Sequence, residues 1–365
     1  MGVNMRRILF AVIGCFTVFC AHAAQIVNVD YVHKLIAQEW DISIPIKADS
    51  PMQAANMKYL LTAVDVANEI LNGEKTTDYG NGEFATLHAA DTIVTNQAVD
   101  TLVRKEIEYK FFLTTTSTNS FSFSISAAGE FIVNWGDGKT ETITKPDTTK
   151  TTYSHTYSTS KSYTIKLTGQ ATAYNTSTST AAISFYVNSS QTKIASIDGS
   201  LGAIFGTLPD ATEKQPRFYQ TFYNAINMTG SIPSDLFAGI SGAPAERMFY
   251  GTFRMCSGLT GAIPDGLFAG ISGAPAINMF AYTFFNCSKL TSIPENLFGD
   301  ISGTAQGSMF SNTFAYCSNL TGPSARINGK YLYEIWPYNS SVFFAFMYSG
   351  ATKLSDYSSI PSNWK

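Results

Sequence analysis

One sequence motif is repeated three times in succession: SIPSDLFAGISGAPAERMFYGTFRMCSGLT (231–260), AIPDGLFAGISGAPAINMFAYTFFNCSKLT (262–291) and SIPENLFGDISGTAQGSMFSNTFAYCSNLT (292–321). The copies keep register, because the phenylalanine after the I-P pair recurs after 31 and then 30 positions. Periods of about 20–50 residues indicate stacked repeats, since one short unit cannot bury its own apolar face. The repeated stretch occupies residues 204–365 and ends in an irregular last unit, and residues 197–205 (IDGSLGAIF) resemble a degenerate first copy.

Within a unit, residues 259–264 are bounded by turn residues and predict a short strand, with successive strands parallel. Residues 248–256 predict a short helix or 3₁₀ segment, and 239–244 a Gly- and Pro-containing loop. In the irregular last unit, Phe346 is expected to occupy the position of the phenylalanine in the Thr-Phe pair. Five side chains are expected to point inward and stack on their equivalents: Phe249, Phe253, Leu259, Ile263 and Phe268.

Three cysteines, Cys256, Cys287 and Cys317, recur at one position of the repeat, where the preceding copy has Ala225. The number of cysteines is odd, and alanine also occurs at their position. These cysteines are therefore predicted to act as small apolar residues that stack inside the repeats. A disulfide between neighbouring units is the alternative, since a secreted chain usually pairs its cysteines.

The beginning of the chain predicts secretion. Arg6 and Arg7 precede an apolar run over 8–20, and Ala21-His22-Ala23 is typical of a cleavage site, so residues 1–23 are expected to be a signal peptide cut after Ala23. Residues 12–15 resemble a lipoprotein lipobox, which leaves a lipid anchor on Cys15 as the alternative. The rest of the chain contains no run of about 20 apolar residues, so no transmembrane segment is predicted.

Charge excludes two classes of partner. Lys+Arg number 24 against Asp+Glu 27, which gives a net charge of −3, and only 14% of residues are charged. Nothing here attracts nucleic acid or an acidic membrane surface electrostatically.

Residues 24–108 predict a small helical unit. Residues 50–53 have the form of a capping box, Met57, Leu60 and Val64 follow at helical spacing, and Gly73 is a C-terminal stop. The unit is either an assembly or anchoring segment or a spacer.

In residues 109–190 the spacing of apolar residues changes to every second position. Apolar residues recur at every second position over 121–125, 131–135, 163–167 and 183–187, and Asp137-Gly138 predicts a hairpin turn. About 80 residues of short strands between Ser/Thr-rich turns predict a small β-sandwich.

Two resemblances follow from these motifs. Residues 134–138 (NWGDG), 154–157 (SHTY) and 162–167 (SYTIKL) resemble the signatures of the PKD domain, an extracellular Ig-like sandwich. The order Phe253, Cys256, Leu259, Ile263-Pro264 resembles the BspA-like leucine-rich repeats of bacterial surface proteins. The resemblances imply a multi-domain chain with a helical N-terminal unit (24–108), an all-β PKD-like sandwich (109–190) and an α/β leucine-rich-like solenoid of 30–31-residue repeats (191–365).

The sequence carries no catalytic pattern: no nucleophile elbow, zinc motif, phosphate loop or EF-hand is present. His33, His88 and His155 are interpreted as structural, His155 by holding a turn or strand. Asp137 is interpreted as a turn residue, with a calcium site as the alternative. The chain is therefore predicted not to be an enzyme and to need no cofactor or metal.

The candidate binding face is a row of threonines, one per unit, that should point outward if Leu259 points inward. The alternative is that threonine is simply a good strand residue. The row consists of Thr229, Thr260, Thr291 and Thr321. A second row, Asp235, Asp265 and Glu295, is either an acidic stripe or a solvated edge.

The family resemblance implies a secreted or surface-displayed bacterial protein that acts in adhesion or protein recognition through its repeats. An extracellular protein or glycan is the expected partner. A glycan-binding module, which exposed aromatic rows would favour, and a structural surface-layer component are the alternatives.

Overall fold

The computed structural model describes residues 107–337 and 346–365. The predicted signal peptide (1–23), the lipid anchor at Cys15 and residues 24–106 of the predicted helical unit lie outside the described residues. Within the described part, Glu108–Lys365 belong to one compact unit.

Eight strands precede the repeats, and four strands of two residues and one short helix occur within them. The strands are β1 (Phe111–Thr115), β2 (Thr118–Ile125), β3 (Ala127–Asn134), β4 (Thr140–Lys145), β5 (Thr151–Lys161), β6 (Thr164–Tyr174), β7 (Ile183–Ser184), β8 (Ile194–Gly199), β9 (Ser272–Gly273), β10 (Asp300–Ile301), β11 (Arg326–Ile327) and β12 (Lys330–Tyr331). The helix α1 is Leu332–Ile335, and 3₁₀ segments occupy Ser190–Lys193, Tyr357–Ser359 and Ser362–Trp364.

The first eight strands form two antiparallel sheets, in the orders β4-β3-β6-β1-β8 and β5-β2-β7. Their alternating apolar residues enclose one core, in which Phe123 packs on Trp135 (ring centroids 5.4 Å apart) and Phe111 stacks on Phe185 (5.9 Å). Strand β8 follows the predicted sandwich in sequence and pairs with β1, so the chain returns to this sheet before the repeats begin.

Residues 200–337 and 346–365 form what we call the repeat stack. Each unit contains a turn segment, residues 216–225, 247–256, 278–287, 308–317 or 346–351, in which two kinds of backbone hydrogen bond alternate. Every second N–H, from Arg247 to Met255, donates to a carbonyl of the next unit (2.7–3.0 Å). The intervening N–H groups donate to the carbonyl three residues back in their own unit (3.0–3.2 Å). The backbone of each unit is thereby bonded along the stack.

Three columns of stacked aromatic rings form the core of the repeat stack. In one column, Phe222, Phe253, Phe284 and Phe314 are separated by 5.5, 5.6 and 5.6 Å between centroids and tilted by no more than 8°. A second column consists of Phe218, Phe249, Phe280 and Phe310, and a third of Phe237, Phe268 and Phe298. Together with the expected inward positions Leu259 and Ile263, which are also buried, they confirm the predicted ladders.

Buried polar groups tie these columns together. The Thr283 hydroxyl lies 2.9 Å from the carbonyl of Phe249 in the preceding unit and 2.6 Å from that of Phe280 in its own. Cys256, Cys287 and Cys317 are free and buried, as predicted, and each thiol donates to the carbonyl of a phenylalanine in the preceding unit at 2.9–3.1 Å.

The predicted fold class is wrong. Only 6% of the described residues are helical, the sheets are several and small, and no closed solenoid forms. The short helix or 3₁₀ segment predicted over 248–256 is a run of turns, because Arg247, Gly251 and Met255 have φ of 55°, 58° and 64°, which a right-handed helix excludes. The strand predicted over 259–264 makes only isolated parallel bridges, such as Gly261 with Leu290.

The expected alignment of the last unit is also wrong. Tyr348, not Phe346, continues the phenylalanine column, since its ring stacks on Phe314 at 5.8 Å and 14°. Ala351 then takes the cysteine position and is fully buried, whereas the Phe346 side chain is 54% exposed.

Candidate functional site

The predicted threonine row is exposed at all four positions. The N–H of Thr260 donates to Gly230, that of Thr291 to Gly261 and that of Thr321 to Thr291, at 2.8–2.9 Å. The Thr321 hydroxyl also donates to the carbonyl of Thr291 (3.0 Å). These threonines therefore connect successive units, and the residue is the same in every unit.

A second surface is formed by the turn segments, where sequence reasoning predicted no site. Most of its side chains are partly exposed, Tyr316 and Phe346 are exposed, and five small or packed residues are buried: Pro216, Gly251, Ala281, Ser311 and Ala315. Positions 248, 249, 252, 253 and 256 are buried in the core, whereas 247, 250, 254 and 255 are partly exposed; together with the buried Gly251 these make up the five outer positions. We call these outer positions and their equivalents the turn face. The turn face comprises Pro216, Tyr219, Gln220, Tyr223 and Asn224; Arg247, Tyr250, Gly251, Arg254 and Met255; Asn278, Ala281, Tyr282, Phe285 and Asn286; Ser308, Ser311, Asn312, Ala315 and Tyr316; and Phe346, Ser349 and Gly350.

The turn face differs from the interior in how its residues vary between units. In the three complete units the inward positions are identical and read Met-Phe, Thr-Phe and Cys. The five outer positions differ in every unit; position 251, for example, is Gly, then Tyr282, then Asn312. A common scaffold thus presents a different set of side chains from each unit, as expected of a surface that binds an irregular partner.

Aromatic side chains form a continuous band along the turn face. Tyr219 stacks on Tyr250 (5.2 Å, 14°), Tyr250 contacts Tyr282 (5.5 Å), and Tyr282 contacts Phe285 (5.6 Å). Phe285 in turn meets Tyr316 edge to face at 5.3 Å. Burial raises the pKa of Tyr250, so its hydroxyl stays protonated and able to donate.

Two arginines pack against this band. The guanidinium of Arg254 lies 5.3 Å from the ring centroid of Tyr223, 4.9 Å from Tyr282 and 5.3 Å from Phe285. That of Arg247 lies 5.8 Å from the Tyr250 centroid. Cation–π contacts of this kind fix a guanidinium without neutralising it.

The band contains an open cleft with a volume of about 340 Å³. Its lining combines the aromatic residues Tyr250, Tyr282 and Phe346 with polar side chains from three successive units. The polar residues are Arg247, Asn278, Ser308, Ser311 and Asn312. A concave site with apolar walls and a few polar groups is the usual form of a ligand site.

Backbone strain coincides with this surface. Tyr282, Tyr316 and Phe346 have φ of 58°, 61° and 64°, in the left-handed region that costs a bulky residue about 1–2 kcal/mol. Equivalent positions elsewhere in the stack hold Gly251 or Asn286, which accept this conformation more easily. Tyr316 is 52% exposed and Phe346 54%, so little burial offsets the strain. Strain retained at exposed aromatic residues favours a functional role for them.

His155 and Asp137, which lie away from the turn face, support a turn of the sandwich. His155 Nε2 donates to Asp137 Oδ2 (2.8 Å) and its ring stacks on Trp135 (5.1 Å), so the prediction that it holds a turn is confirmed. Burial alone would raise the pKa of Asp137, but hydrogen bonds from His155 and the Lys139 N–H outweigh it and lower the pKa. Among the described residues, no cluster of three His, Cys, Asp or Glu side chains is suited to a metal ion.

Comparison with family models, with curated proteins and with solved structures gave no match. In the part of the chain that the structure describes, no helix has the length and hydropathy needed to cross a bilayer. The inference of function therefore depends on the geometry of the chain itself.

Proposed function

We propose that this chain is a secreted or surface-displayed, non-enzymatic binding protein that recognises an extracellular partner through the turn face. The observation that carries the proposal is the contrast between identical inward positions and divergent, aromatic-rich outer positions in the same turn segments. Tyrosine is the commonest residue of the turn face and two arginines accompany it; both residue types are enriched at binding hot spots.

Secretion is supported by the sequence of residues 1–23, with its basic start, apolar run and small-residue cleavage site. The alternative anchor on Cys15 would place the same binding surface at a membrane. In either case the repeats face the extracellular medium.

The turn face is favoured over the threonine row for an energetic reason. The exposed threonines are uniform and bonded to the preceding unit, as structural residues are, whereas Tyr316 and Phe346 remain exposed at strained positions. A purely structural surface would be expected to have lost such residues to asparagine or glycine.

The experiment is a screen of the full chain against paired arrays of extracellular matrix proteins and glycans. Two variants, Tyr282→Asn and Tyr316→Asn, each introduce the residue that an equivalent position, Asn312 or Asn286, already carries. Because the backbone accepts asparagine there, both should fold, and we expect them to lose binding.

The matched control is the pair Thr260→Val and Thr291→Val on the threonine row, which should bind as the parent does. Loss of binding in this pair alone would transfer the site to the threonine row. Failure on both arrays, together with ordered self-association of the purified chain, would instead favour a structural surface-layer component.

A further inference from the structure

We propose, building on the function proposed above, that the cleft of the turn face binds an oligosaccharide that carries carboxylate groups. Arg247 lies in the cleft, and Arg254 flanks it through its contact with Tyr282. The two guanidinium groups would bind the carboxylates, and the surrounding polar and aromatic side chains would bind the sugar rings.

Charge is the first argument. The turn face contains two arginines and no aspartate, glutamate or lysine, although the whole chain has a net charge of −3. The acidic residues Asp235, Asp265 and Glu295 follow the I-P pairs instead, outside the turn segments. This positive surface on an acidic protein complements an anionic ligand.

The arginines are also available to an anion. Arg247 forms an ion pair with Glu246, but a long one without a hydrogen bond, since Oε1 lies 3.9 Å from Nε. Arg247 Nη1 donates to Ser179 Oγ (2.7 Å), which fixes the side chain without neutralising it. Arg254 pairs with no acidic side chain among the described residues. The Nε atoms of both arginines are buried, so a carboxylate would bind to the terminal nitrogens Nη1 and Nη2, which a planar guanidinium presents side by side for two parallel hydrogen bonds.

The rest of the cleft favours a sugar over a peptide. Asn278, Ser308 and Asn312 offer amide and hydroxyl groups that can both donate and accept, as sugar hydroxyls require. The exposed ring of Phe346 and the rings of Tyr250 and Tyr282 offer apolar surface to the carbon-bound hydrogens of a sugar ring.

An extended peptide would need unpaired backbone groups to add to the stack as a strand. The alternating N–H groups of the second turn segment are already bonded, either to the next unit or within their own. Recognition in the cleft must therefore use side chains, and its volume of about 340 Å³ suits a short chain of sugars.

The test compares two probes by calorimetric titration of the full chain: a tetrasaccharide of galacturonic acid and the same tetrasaccharide with its carboxylates methyl-esterified. We expect the acid to bind about ten-fold more tightly than the ester, as charge-assisted hydrogen bonds predict. The affinity for the acid should also fall as salt is added.

The variants Arg254→Gln and Arg247→Asn should remove the preference for the acid. Asparagine is the residue at the position equivalent to Arg247, namely Asn278, so this variant should keep its fold. Lys289→Gln removes one exposed positive charge outside the turn face and should leave the preference unchanged.

Equal binding of acid and ester, absence of binding to both, or an equal effect of Lys289→Gln would overturn the proposed ligand class. If the Tyr282→Asn variant nevertheless fails to bind a partner that the parent chain binds on the arrays, the binding function of the turn face stands with a different ligand. If no turn-face variant affects any partner, both proposals fail.

Discussion

Phe284 shows how much one ring contributes inside the repeat stack. It is fully buried between Phe253 and Phe314, at 5.6 Å from each centroid. Replacement by alanine opens a cavity between rings that neighbouring units hold in place, so we expect Phe284→Ala to lower the free energy of unfolding by about 3–5 kcal/mol. Urea denaturation followed by circular dichroism measures this loss.

Phe346→Asn is the control for ring removal, because the Phe346 side chain is largely exposed and asparagine accepts its φ of 64°. It should leave the urea midpoint unchanged or raise it. Equal destabilisation by the two variants would show that the ring columns do not hold the stack together.

A second prediction concerns the buried hydroxyl of Thr283, which lies within hydrogen-bond range of Phe249 and Phe280. Valine has the same shape but no hydroxyl, so Thr283→Val leaves buried carbonyls without this donor and should cost about 1–3 kcal/mol. Thr291→Val, on the exposed row, should change stability by no more than about 0.5 kcal/mol. Similar costs at the two sites would contradict the bridging role of the inner hydroxyl.

Tyr316 allows a prediction of the opposite sign. Its φ of 61° is unfavourable for tyrosine, and asparagine occupies the equivalent positions 224 and 286. Tyr316→Asn relieves this strain but loses the edge-to-face contact with Phe285. The net effect should be to raise the free energy of unfolding by about 0.5–1 kcal/mol. The reverse exchange, Asn286→Tyr, should destabilise. If Tyr316→Asn lowered the melting temperature, the tyrosine would be retained for stability and the argument from strain would fail.

At the scale of the element, the cysteine column makes stability depend on alkaline pH. Burial raises the pKa of Cys317 from its ordinary value of 9.0 to about 12, and also raises the pKa values of Cys256 and Cys287. Because the folded thiols bind protons more tightly than the unfolded ones, their contribution is complete below about pH 9 and is lost as the pH rises toward about 12.

The triple variant Cys256→Ala, Cys287→Ala, Cys317→Ala isolates this effect, since Ala225 and Ala351 already fill the same position. We expect its stability to fall less steeply than that of the parent chain between pH 9 and 11, with buried tyrosines causing the remaining decline. Parallel curves for the two proteins would exclude a thiol contribution.

The turn segments show where sequence reasoning succeeded and where it failed. The spacing of Phe249, Phe253 and Cys256 correctly predicted which side chains point inward, because apolar periodicity reports burial whatever the backbone does. It predicted a helix wrongly, because bonding between units, not local propensity, sets the left-handed positions. Arg247 and Met255 give no local signal of positive φ.

The candidate site was partly readable from the sequence. Aligned copies show that the residues between the invariant Met-Phe, Thr-Phe and Cys positions all differ, which is the one signal that could have indicated the turn face. The regular spacing of one threonine per unit predicts the threonine row instead, because repeat proteins bind through extended regular faces. The cleft could not be predicted, since it joins residues of four units, from Arg247 to Phe346.

At the scale of the molecule, the sandwich and the repeat stack share one core. Phe185 follows strand β7 and contacts Phe111, Phe121 and Phe123 in the sandwich at 5.9–6.3 Å. On its other side it stacks on Phe222, the first ring of the repeat column, at 5.3 Å and 16°. The sandwich thus covers the apolar end of the stack.

Phe185→Ala tests this shared core. Because Phe185 contacts both parts, its loss should increase amide hydrogen exchange both in β1 and β2 and in residues 216–225, with one cooperative unfolding transition at a lower denaturant concentration. Trp364→Ala, at the opposite end of the stack, is the control. Because each unit contacts only its neighbours, this variant should increase exchange in the last units and leave the sandwich protected.

Two separate transitions in the parent chain, or an effect of Phe185→Ala confined to the sandwich, would mean that the two parts fold independently. The sandwich would then be an appended module that does not complete the stack, and the binding screen could be repeated with each part alone.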